Sequence, residues 1–275
     1  MKINTAQKIF LSLRSLRVML IILSLNSAFA MLVTGAMLGT LSGCSSAEKI
    51  DTSTPEGAFK LAEEFEKDER YEEAIQKFAD IKNKNPYSRF AAMSELKIAD
   101  LQYKRESYIE AQNAYQLFKD FHPKHPQIDY VTFRLAMSYF NQLPTSIDRD
   151  LTMADKAILY FDEVINSYPT STYVAEAKQH KTDALKMKAE KELYIAHFYF
   201  IREMYDSALK RFEGILDKFP GLGFEPRALY GAAKSAFESG EKEKAKQFYN
   251  SLKSLYANSD EAKKANGEFS KYGTN

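Results

Sequence analysis

The chain has 275 residues, a formal net charge of +1, one Cys and no Trp, with 45% hydrophobic and 27% charged residues. That is an ordinary globular composition. Near-neutrality, with no basic stripe, excludes nucleic acid as the expected partner, because phosphate binding needs a cationic surplus. A single Cys excludes an internal disulfide framework and any multi-Cys metal site.

Residues 1–43 read as a targeting segment. Lys2, Lys8, Arg14 and Arg17 form a basic n-region, and Val18 to Leu38 is apolar or small with a polar break at Asn26 and Ser27. Leu41-Ser42-Gly43-Cys44 follows, and it resembles a bacterial lipobox, in which the Cys is freed at its N-terminus and acylated. The chain's only Cys stands where that chemistry needs a thiol. The expectation is a lipoprotein whose cofactor-like group is a covalent N-acyl and S-diacylglycerol lipid on Cys44, held stably by two or three acyl chains. A membrane-spanning helix, or cleavage after Ala28-Phe29-Ala30, would give an unlipidated chain. Ser45 is not Asp, so the resemblance implies sorting to the outer membrane. Residues 44–54 read as the acylated Cys and a short polar tether.

The body, 55–258, reads as an internal repeat. Pro86, Pro123, Pro169 and Pro220 mark the ends of four units. Twelve residues before each lie Ala74, Ala111, Ala157 and Ala208; eight before lie Phe78, Tyr115, Phe161 and Phe212; five before lie Ile81, Phe118, Val164 and Ile215. A fifth unit has Ala245, Tyr249 and Leu252, with Ala257 at the Pro position. Ahead of these stand Leu61-Ala62, Ile98-Ala99, Leu135-Ala136, Ile195-Ala196 and Ala232-Ala233. This pattern resembles the tetratricopeptide repeat, of about 34 residues. Small residues let two helices cross closely, large ones fill the layer between them, and the Pro stops the second helix. The expected fold is all-α, a superhelical solenoid of five helix pairs at about 55–88, 89–125, 126–171, 172–222 and 223–258.

Two departures stand out. Leu135 to Ala157 is 22 residues where Leu61 to Ala74 is 13, which places an insertion at 143–151. Thr172 to Arg202 contains no Pro or Gly and reads as one long helix. Residues 259–275 read as a polar tail, a frayed helix and loose end.

No catalytic constellation is visible. His122 and His125 lie in a Pro-bounded turn without a third ligand at metal-binding spacing, His180 and His197 stand alone, and no phosphate loop or nucleophile motif is present. The expectation is a protein that is not an enzyme. In tetratricopeptide repeats the first helices line a groove. The groove positions here are Phe59 and Glu66, Leu96 and Tyr103, Phe133 and Phe140, Leu193 and Phe200, and Tyr230 and Phe237. Nine of the ten are apolar or aromatic. They suit either a peptide-binding groove or burial by tight superhelical winding.

The run His122-Pro123-Lys124-His125-Pro126-Gln127-Ile128-Asp129-Tyr130-Val131, with Arg134 after it and Asp148-Arg149-Asp150 in the insertion, resembles the BamD (ComL-like) lipoproteins of the outer-membrane β-barrel assembly machinery. Lipobox, five repeats, insertion and long seventh helix agree over residues 41 to about 258. The insertion is shorter than in many members. Lys210-Arg211-Phe212-Glu213-Gly214 is similar to the family's fourth-repeat second helix, which implies a partner contact at Arg211. The resemblance implies a location at the periplasmic face of the outer membrane. The implied partners are a BamA-like barrel protein held by the C-terminal repeats, other assembly lipoproteins, and unfolded outer-membrane proteins received by the N-terminal repeats. A lipid-anchored repeat adaptor for envelope division or peptidoglycan coordination would share the solenoid without needing the His-Pro run or the insertion.

Overall fold

The structure is a computed structural model, and it describes residues 50–269. The targeting segment, Cys44 and the first part of the tether lie outside the described residues, as do residues 270–275. The described residues form eleven helices and no strand. Five antiparallel pairs are α1 (Pro55–Lys67) with α2 (Tyr71–Lys84), α3 (Arg89–Lys104) with α4 (Tyr108–Phe121), α5 (Ile128–Phe140) with α6 (Thr152–Ser167), α7 (Val174–Ile201) with α8 (Tyr205–Lys218), and α9 (Glu225–Glu238) with α10 (Lys242–Leu255). A last helix, α11 (Asp260–Phe269), follows. Each of α1 to α10 packs mainly on its sequence neighbours, the connectivity of a solenoid.

The repeat positions explain the stacking. The ten alanines Ala62, Ala99, Ala136, Ala196, Ala233, Ala74, Ala111, Ala157, Ala208 and Ala245 are all at most 1% exposed. They bring the helices close enough for Phe78, Tyr115, Phe161 and Phe212, all wholly buried, to fill the layer.

Both kinds of turn are also repeated. The second helices end on Asn85, His122, Tyr168, Phe219 and Tyr256, with φ between −134° and −125°, and each N–H donates to the carbonyl four residues back. Their ψ values of 38° to 57° take them out of the α region, which a following Pro disfavours. Tyr256 adopts the same backbone before Ala257, so packing within the repeat sets it as well.

The first helices end differently. Glu69, Glu106 and Glu203 hold φ near +60°, as Gly240 does at +89°. In each turn two N–H groups reach back over the last helical turn, for example Glu69 N to Glu66 O at 3.1 Å and Arg70 N to Phe65 O at 2.9 Å. This is the left-handed Schellman cap, which glycine adopts without strain and glutamate does not. Glu69→Gly, Glu106→Gly and Glu203→Gly are each expected to stabilise the fold by about 0.5–1 kcal/mol, read as a higher urea midpoint. A lower midpoint for all three would sink the idea that strain is stored there.

The insertion folds back onto the pair it interrupts. Leu151 is buried with Ala154 and Ala184, and Leu143 packs against them. Asp150 Oδ1 accepts from Thr152 N at 3.1 Å and Thr152 Oγ1 at 2.7 Å, satisfying an orphan donor at the start of α6.

Residues 260–269 are not a loose tail. Ala262 and Ala265 are buried against α9 and α10, Tyr249 Oη donates to Asn266 Oδ1 at 2.6 Å, and Ser259 Oγ accepts from Ala262 N at 3.1 Å. A terminal repeat exposes the face that the next repeat would cover, and a short polar helix with two small residues on one side closes it.

Candidate functional site

The first helices α1, α3 and α5 enclose a cleft of about 280 Å³, walled by Phe59, Leu96, Met93 and Tyr130 with Glu63, Lys97, Asp100, His125 and Gln127. Two groove positions and three residues of the His-Pro run therefore meet in one place. Its chemistry is mixed, with an apolar floor and charged walls.

Behind it lies a polar network. Asp100 Oδ1 accepts from Tyr115 Oη and from Tyr130 Oη, both at 2.7 Å. Arg134 Nε donates to Tyr130 Oη at 3.2 Å, and its guanidinium lies 4.5 Å from the Tyr103 ring centre. Asn141 Nδ2 donates to Tyr103 Oη at 2.8 Å. Burial, and then the charge of Asp100, push the Tyr130 hydroxyl up to about 12, and the same two causes push Tyr115 up further. Burial works against the charge of Arg134, but the bond to Tyr130 and the electrostatics of Tyr130, Tyr115 and Tyr103 together outweigh it, and its pKa is raised. The tyrosines therefore stay protonated donors and Arg134 stays a cation at any physiological pH. Tyr130 and Arg134 belong to the family run, so that run builds the joint between the second and third repeats.

The His-Pro turn is spent in the same way. His122 Nε2 lies 2.7 Å from Glu95 Oε2, and the His122 and His125 rings pack on Phe118 at 4.7 and 5.0 Å. Burial and neighbouring His122 push His125 down. Ile128 is half-buried against the second-repeat core, and Asp129 accepts from Ser171 Oγ at 2.7 Å, tying α5 to the next inter-repeat turn. Pro126 bounds this turn before α5. Glu66, the one charged groove position, is held by Lys97 at 2.8 Å and Lys104 at 2.6 Å. Burial opposes its charge, but the two lysines hold its carboxyl below the usual range.

The nine apolar groove positions do not form one continuous aromatic groove. Phe59, Leu96, Phe133 and Leu193 are buried. Phe133 lies under Tyr173 in a stack at 4.9 Å, and Leu193 joins the core of the last two repeats. Phe140 is wedged between Phe161 and His180, while Phe200 and Tyr230 share the Lys234 ammonium at 5.5 Å each. Phe237 and Tyr103 are half-buried. Tyr173, in the turn before the next repeat, closes the groove over Phe133, whereas the cleft over Phe59, Leu96 and Tyr130 is open.

The remaining positions lie apart from that cleft. Asp148 accepts from Ser146, Arg149 is exposed while its carbonyl accepts from Lys191, and Asp150 caps α6. Arg211 donates to Glu192 Oε2 at 2.9 Å at the rim of a second recess of about 220 Å³, shared with Lys210, Gly214 and Lys218. Asp100 and Lys97 were not singled out by sequence; the signal for Asp100 was an acid directly following the buried small residue Ala99.

Five stacked helix pairs with alanine crossings and repeated caps define a tetratricopeptide-repeat protein, and residues 199–266 match a tetratricopeptide repeat family. Residues 51–230 match the family YfiO, outer membrane lipoprotein, and the chain belongs to that family. Relatives named outer membrane protein assembly factor BamD occur in Rickettsia prowazekii, 26% identical over 237 residues covering 84% of this chain and 91% of the relative. Those of Caulobacter vibrioides (24% identical, 64% of this chain) and Neisseria meningitidis (27% identical, 58% of this chain) also match. In these two the chain spans 58% and 63% of the relative's length.

Proposed function

We propose that this protein is a non-catalytic outer-membrane lipoprotein that scaffolds a β-barrel assembly machinery and receives unfolded outer-membrane proteins for insertion. The observation that carries the reading is the family match over 51–230, which takes in the His-Pro run and the insertion in one frame. Lipid on Cys44 holds the chain at the periplasmic face, and no other cofactor is required. The mixed cleft over Phe59, Leu96 and Tyr130 is suited to an extended peptide that offers both apolar and polar side chains. The basic recess around Arg211 suits an acidic patch on the periplasmic part of a BamA-like barrel protein. Other assembly lipoproteins complete the partner set, and nucleic acid has no place in it.

The test is a mild-detergent pull-down of tagged full-length protein from its own membranes. Recovery of an outer-membrane barrel protein with periplasmic domains is the expected result. Recovery of division or cell-wall proteins alone would overturn it.

A further inference from the structure

The turns joining one repeat to the next all lie at the end of the helix pairs where α1 begins, because successive helices run antiparallel. That end is also where the tether joins. Thr52, Ser53 and Thr54 share a recess with Lys77, Lys84 and Asn85, in which Asp80 is the one acid. Two residues beyond Asn85, Tyr87 is fully exposed at 101%. Across α3, Lys82 shares a second recess, about 160 Å³, with Ile98, Leu117, Phe121 and one acid, Glu95, which lies 2.7 Å from His122, and Phe121 is 74% exposed. Lys82, Lys84, Arg89 and Lys124 have no ion pair among the described residues. The opposite end is mixed in charge, its exposed Glu69, Glu106 and Glu203 standing beside exposed Lys67, Arg70, Lys104, Arg105 and Arg202.

We infer that the tether-bearing end of the first two repeats lies on an anionic phospholipid surface, with Tyr87 and Phe121 at headgroup depth and Lys82, Lys84, Arg89 and Lys124 facing the phosphates. Two features point to lipid as the occupant. The charge is complementary to an anionic leaflet, and exposed aromatics flanked by Lys and Arg are what an interface selects. The chain also leaves the solenoid at this end toward the anchor, so the end is held near the headgroups. This inference rests on the lipoprotein reading. Its consequence is orientation: the first repeats are fixed edge-on to the membrane, rather than swinging from a free tether.

The experiment uses full-length protein purified from its own membranes and reconstituted into vesicles of phosphatidylcholine alone or with phosphatidylglycerol. Lysines are acetylated and each site is quantified by peptide mass spectrometry. Lys82, Lys84 and Lys124 are expected to react at least about fivefold more slowly with phosphatidylglycerol at low salt, and the difference should shrink at high salt. Lys67 and Lys242, at the opposite end, should react alike in both vesicles. Equal rates at all five lysines, or equal slowing at Lys67 and Lys242, overturns the inference. The mass of the peptide bearing Cys44 reports acylation in the same sample, so failure of the lipoprotein reading is registered separately.

Discussion

Asp100→Ala is expected to lower folding stability by roughly 2–5 kcal/mol. Two tyrosine hydroxyls converge on one carboxylate oxygen, and Tyr115 is wholly buried. Removing the acceptor takes the shared carboxylate from both donors at once. Arg134, which leans on Tyr130, loses the negative end of its chain of bonds. Asp100→Asn keeps one oxygen within reach and should lose less than half as much. Urea unfolding of the two variants makes the comparison. If they lose equal amounts, or Ala loses under about 1 kcal/mol, Asp100 is not the hub of the joint. Because a solenoid transmits stability only between neighbours, hydrogen exchange should quicken in the second and third repeats before the fifth.

Gly231→Ala should destabilise even though alanine is the better helix former by about 1 kcal/mol. A Cβ on Gly231 would stand 2.4 Å from two atoms of the Phe212 ring, which is itself buried between α7 and α9. Overpacking of this kind costs about 1–3 kcal/mol. The sign should reverse once the ring is gone. In a Phe212→Leu background, Gly231→Ala is expected to be neutral or to restore up to about 1 kcal/mol. A double-mutant cycle by thermal or urea unfolding reads this directly. Simple additivity would show that the glycine is there for another reason.

The repeat was legible because its signal is local. Alanine at the crossing, an aromatic four residues on and a Pro beyond recur in register, and the structure buries Ala157, Phe161 and Val164 as that register requires. The long helix was legible from its lack of Pro and Gly. What could not be read depends on the neighbouring repeat. Phe133 occupies a groove position, but whether it faces solvent is decided by Tyr173, forty residues on. The docking of helix α11, read from sequence as a frayed helix, escaped because two alanines in a polar run are a faint stripe until a partner face is known. The glutamates at positive φ escaped because only their place in the turn, not their chemistry, marks them. Within the candidate site, the motif run led to Tyr130 and Arg134, but Asp100, to which Tyr130 donates, lies in another helix.

Helix α7 has 28 residues, about 42 Å of unbroken rod. Its N-terminal half buries Ala177 and Ala184 against the third repeat, and its C-terminal half buries Ala189, Leu193 and Ala196 against the last two. One shaft thus belongs to both halves of the molecule, and its phase sets the angle between them. Adding a single residue midway would turn everything downstream by roughly 100°, carrying the Arg211 recess to a different compass bearing from the cleft at Phe59. The third and fourth repeats are therefore geared: a rotation of one is carried to the other by a shaft with no turn along its length.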